Sequence, residues 1–155
     1  MVNQYKNNQS LYNKVLVNKS QNPCSESLVS SLLKDMHFKL DMSLPEDYLN
    51  LLRHTDGYND GQLEIYASNT IFCKKQRRLI HGLLSMNEYF QNYFSELVIG
   101  EWKNELIAYN YESNRYLLMR TDGVRDSHFS SLLELLVMIV DGDLNAKNIK
   151  RESLK

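Results

Sequence analysis

Glu96 to Arg120 reads ELVIGEWKNELIAYNYESNRYLLMR, and this stretch decides the fold. ELVIG (96–100) is a short apolar run stopped by Gly100. In ELIAYNY (105–111), Ile107, Tyr109 and Tyr111 fall on one face of an extended chain, and Leu106 and Ala108 on the other. That period of two is the pattern of a strand. RYLLMR (115–120) follows the polar turn Glu112-Ser113-Asn114, whose length joins antiparallel strands. The three runs predict a three-stranded meander, with Trp102 in the turn between the first two.

Downstream, Thr121-Asp122-Gly123 closes the sheet. Phe129, Leu132, Leu133, Leu136, Ile139 and Val140 then recur at helical spacing and predict an amphipathic helix ending near Gly142. Upstream, residues 62–67 alternate as a strand, and residues 70–94 fit two helices, around 70–79 and 86–94. SLPEDYLNLLRHTDG (43–57) predicts a helix: Ser43 and Glu46 have capping-box spacing, Pro45 suits a first turn, and Gly57 is a stop. Tyr48, Leu49 and Leu52 share its face. Before it, Leu28, Leu32, Leu33 and Met36 make a helical stripe beside Val29, with Ser25 as N-cap. Helices, strand, helices, meander and helix in that order predict an α+β domain.

The expected organisation is a polar arm or helix (1–22), in which Leu11, Val15 and Leu16 suggest a weak stripe. One α+β domain (23–142) and a polar tail (143–155) follow. A chain of 155 residues fits one domain with its own core. With 43% hydrophobic and 24% charged residues, it has the balance of a globular protein. A net charge of -1 gives no general attraction to nucleic-acid phosphates, although a local patch stays open. The N-terminus carries no apolar run after a basic start, and no window matches a membrane span. The expected compartment is the cytoplasm. There the sequons at Asn8 and Asn18 carry no meaning, and Cys24 and Cys73 are expected to be reduced structural thiols.

The recognised chemical patterns fail one by one. In DGYNDG (56–61), an EF-hand would need an oxygen ligand where Tyr58 stands and a glutamate where Ala67 stands. The loop therefore reads as a turn. His37, His54, His81 and His128 stand at no zinc spacing. No phosphate loop and no nucleophile elbow occurs. Cys73 precedes Lys74, Lys75, Arg77 and Arg78, so nearby cations could activate its thiol. A buried structural thiol is the commoner case. The same cations could touch RNA or an acidic protein; a solvated helix face is again commoner. Trp102 either packs on the sheet or serves an interface.

Several of these segments together resemble the SUKH superfamily, the Smi/Knr-type cell-wall-assembly-regulator domain. The residues that carry the resemblance are Leu44, Pro45, Asp47, Tyr48, Leu52, Asp56 and Gly57; the strand at Leu63 to Tyr66; Ile99 and Gly100; and Ser127, Phe129, Leu132 and Leu133. It spans roughly residues 25–141, with Asp56 where asparagine is commoner and Glu101 where aspartate is usual. The resemblance implies a mixed α+β fold. It also implies a bacterial immunity protein that neutralises a cognate toxin, often a nuclease, with no catalytic residue, metal or cofactor. The expected partner surface is the acidic and aromatic set Asp56, Tyr58, Asp60, Glu64, Tyr66, Glu101 and Trp102, on a monomer or weak dimer. Two alternatives stand beside it: a scaffold or RNA-contacting module using Lys74, Lys75, Arg77 and Arg78, and an enzyme using Cys73 or His81.

Overall fold

A computed structural model describes residues 12, 13, 15, 16 and 21–141, with Arg125 and Asp126 described by backbone alone. The sequons, Leu11, Gly142 and the polar tail lie outside the described residues. The fold is α+β. Helices α1 (Glu26–Leu40) and α2 (Glu46–His54) precede strands β1 (Tyr58–Asn59), β2 (Leu63–Ile65), β3 (Ile71–Cys73) and β4 (Arg78–Ile80). Helix α3 (Leu83–Phe90) leads into β5 (Leu97–Trp102), β6 (Glu105–Asn110), β7 (Arg115–Arg120) and β8 (Arg125–Phe129), and helix α4 spans 132–141. Six strands form one antiparallel sheet in the order β1-β2-β5-β6-β7-β8, and β3 and β4 form a separate hairpin. No helix of the described residues is long and apolar enough to cross a membrane.

The meander is present, and it runs one strand further than expected. Gly123 (φ 91°) lets Thr121-Asp122-Gly123 reverse the chain into β8, with the Gly123 N–H donating to the Arg120 carbonyl. The segment is thus a hairpin turn within the sheet, and Phe129 belongs to β8 rather than to the closing helix. Trp102 is the last residue of β5, not a turn residue. The turn is Lys103-Asn104, both at positive φ (48° and 68°), the two-residue geometry that matches strand twist.

A further correction concerns residues 70–79, which form the β3–β4 hairpin instead of a helix. Ile71, Phe72, Leu79 and Ile80 pair across it, and Arg77 (φ 51°) turns the chain. Its base is held by Ala67, whose N–H donates to the His81 carbonyl and whose carbonyl accepts from the Leu83 N–H, both at 2.9 Å.

Helix α1 is capped by Ser25 as expected. Its buried face is Val29, Leu32 and Met36, and Leu28 points outward. Helix α2 begins at Glu46 with Pro45 as its N-cap, so the Ser43 box does not form. The Ser43 carbonyl instead accepts the Tyr111 hydroxyl (2.6 Å). The helix stops at His54, before Gly57. Asp47 accepts the Leu132 N–H at the start of α4, where the Ser131 hydroxyl also accepts from the Glu134 amide. Asn87 ties α3 to the sheet: its amide group donates to the Val98 carbonyl (2.7 Å) and accepts from the Val98 N–H (2.9 Å). The core includes Tyr12 and Leu16 together with Tyr48, Leu52, Tyr66, Ile99, Ile107 and Leu136.

Candidate functional site: a carboxylate-lined cleft

The β2–β5 ladder sets Glu64 directly opposite Glu101. Opposed residues of an antiparallel pair project to the same face about 5 Å apart, where like charges repel. Two neighbours offset the repulsion. Glu64 accepts the backbone N–H of His81 and its Oε2 lies 2.8 Å from His81 Nδ1. Glu101 accepts the Tyr66 hydroxyl at 3.0 Å. Burial, and then the Glu101 charge, holds the Tyr66 phenol well above its ordinary pKa. The Tyr66 and His81 rings meet edge-on, 6.5 Å between centroids. Tyr48 secures the arrangement from α2, donating to the Tyr66 carbonyl at 2.6 Å.

Gly100 makes this pairing close. A Cβ there would be driven into the Glu64 carbonyl oxygen, so only glycine lets β2 and β5 approach at this point. The two glutamates, with Asn59, Gly61, Gln62, Leu63, Lys103 and Asn104, line an open cleft of about 340 Å³.

The seven acidic and aromatic residues do not form one displayed patch. Asp56 is buried and accepts both the Ser68 N–H (2.8 Å) and the Ser68 hydroxyl (2.9 Å). Tyr58 is buried and donates to Asp60, whose other oxygen accepts the Gln62 and Leu63 amides. DGYNDG thus holds strand β1 and a turn in which Asn59 and Asp60 accept the following amides. Glu64 and Tyr66 are buried as well, so exposure was over-assigned to Asp56, Tyr58, Glu64 and Tyr66. The sheet brings Glu64, Tyr66 and Glu101 together, and Asp56 is engaged by Ser68 instead. Trp102 is half-buried against the core, with Lys103 Nζ 5.1 Å from its ring.

Lys103, Asn104 and Gln62 received no role from the sequence, yet all three line the cleft. The Lys-Asn pair between two strand patterns was the signal available. His81, weighed as an enzyme candidate, is the partner of Glu64. Cys73 is buried beside Ala67 and Ile80, with Arg78 opposite it in the β3–β4 ladder. Burial and the charge of Asp56 push the Cys24 thiol up. Among the described residues, no group of three or more His, Cys, Asp or Glu could hold a metal ion. Comparisons with protein-family models, curated proteins and solved structures find no match to this chain.

Proposed function

We propose that the chain acts by binding another protein, as an immunity protein that neutralises a cognate toxin through the Glu64–Glu101 cleft. The observation that carries the proposal is the cross-strand carboxylate pair in an open cleft. Two like charges held side by side favour a partner that brings cations, and a nuclease substrate cleft presents them. The resemblance of residues 25–141 to the SUKH superfamily supports the same reading. A candidate nuclease toxin domain is the partner to test. Co-expression with this chain restores growth, and charge reversal at both glutamates (E64K with E101K) removes the protection. A second variant, Glu101→Gln, controls for folding because it keeps an acceptor for the Tyr66 hydroxyl. Full protection by the folded charge-reversal variant would overturn the site.

A further inference from the structure

The β3–β4 hairpin is built for a ligand of the opposite sign. Its turn carries the exposed Lys74, Lys75 and Arg77, whereas Arg78 opens β4 opposite Cys73 on the inner side, with its guanidinium against Gly61. Among the described residues, none of the three turn cations is in an ion pair, and Arg78 donates to Gln76 at 3.3 Å. On the outer face, Phe72 and Leu79 are cross-strand partners, 58% and 44% exposed. The inner face is closed by Cys73 and Ile80 on Ala67. The hairpin is also fixed in place, through Ala67 at its base and the Asn59 side-chain amide, which donates to the Leu79 carbonyl at 2.9 Å. A fixed, exposed aromatic beside unpaired cations is an arrangement that stacks a base and takes phosphates.

We propose that the outer face of this hairpin binds single-stranded nucleic acid, with Phe72 stacking on a base and the turn cations Lys74, Lys75 and Arg77 holding the backbone. Phe72 decides between polyanions. Duplex bases offer it no free face, and an anionic bilayer would favour a broader apolar surface than two side chains. This surface is separate from the carboxylate cleft and does not depend on the cleft's partner.

Fluorescence anisotropy with a labelled uridine-rich RNA of roughly 12 nucleotides tests it. Three phosphate contacts to a single strand give a log–log salt slope near -2.1, so affinity falls about 20-fold between about 50 and 200 mM salt. Phe72→Ala weakens binding by about 5- to 100-fold and leaves the slope unchanged. The triple variant K74Q/K75Q/R77Q lowers the slope by about 2. Thermal melts confirm that both variants, altered only at exposed positions, are folded. The proposal is overturned by no binding at about 20 mM salt, where the electrostatic attraction is strongest. Unchanged affinity in both variants would overturn it too, as would stronger binding to the matching duplex or to anionic phosphatidylserine vesicles.

Discussion

Replacing Gly100 with alanine attacks the one place where sheet geometry and the carboxylate pair depend on the same atom. The new Cβ would be driven into the Glu64 carbonyl oxygen and lie 3.3 Å from both the Glu64 carbonyl carbon and the Ile65 Cα. All three obstacles are backbone, so no side-chain rotation relieves the clash. β2 must move away from β5, giving up the pairs Leu63–Trp102, Glu64–Glu101 and Ile65–Gly100. Two or three ladder hydrogen bonds at about 1 kcal/mol each, plus partial uncovering of Leu63 and Ile65, sum to about 3–5 kcal/mol. That is a large share of a typical 5–15 kcal/mol stability. For a chain of this length it lowers Tm by roughly 10 °C. Urea and thermal unfolding, followed through the fluorescence of the single tryptophan, Trp102, measure it directly. A variant melting within about 2 °C of the parent would refute the close approach of β2 and β5.

Asp56→Ala leaves the buried Ser68 amide and hydroxyl without their acceptor, so it costs about 2–4 kcal/mol in urea unfolding. Asp60→Ala, in the more exposed turn, costs about 1 kcal/mol. Alkaline pH destabilises the fold. The phenols of Tyr12, Tyr48, Tyr66 and Tyr116 are held above their ordinary value by burial, and that of Tyr111 is pushed up to about 12. Raised folded values mean the stabilisation is complete below the unfolded pKa, near 10, and is lost as pH climbs from there through the folded values, by up to about 1.4 kcal/mol per pH unit for each tyrosine. Melts between about pH 8 and 12 therefore show a flat region and then a fall; a rise above about pH 10 would contradict the burial of these rings. Both thiols are buried, so Cys24 and Cys73 react with an aromatic disulfide only after denaturant is added.

The meander was legible because its signals are local: alternation in ELIAYNY, an apolar RYLLMR and a polar turn between them. The amphipathic stripe of α4 was legible for the same reason. The β3–β4 hairpin was not. Its strands are three residues each, and Lys-Lys-Gln-Arg between them favours a helix by propensity alone. What overrides propensity is the distant Ala67, hydrogen-bonded to His81 and Leu83. The Ser43 capping box failed because the helix starts at Glu46 with Pro45 as its N-cap, which puts Glu46 at the first helical position and not the third. For the site, residue type was readable and exposure was not. Asp56 in a loop looks solvated until Ser68 folds onto it. That Glu64 faces Glu101 depends on a register between strands far apart in the sequence, and Gly100 read as a terminator rather than as the point of closest approach.

Titration calorimetry of this chain against a purified candidate toxin domain tests the proposed function most directly, with E64K/E101K run in parallel. The account predicts one-to-one binding that weakens as salt is raised and is lost in the charge-reversal variant while its melting curve shows a folded protein. Absence of binding at tens of micromolar, or equal affinity of parent and variant, would contradict it.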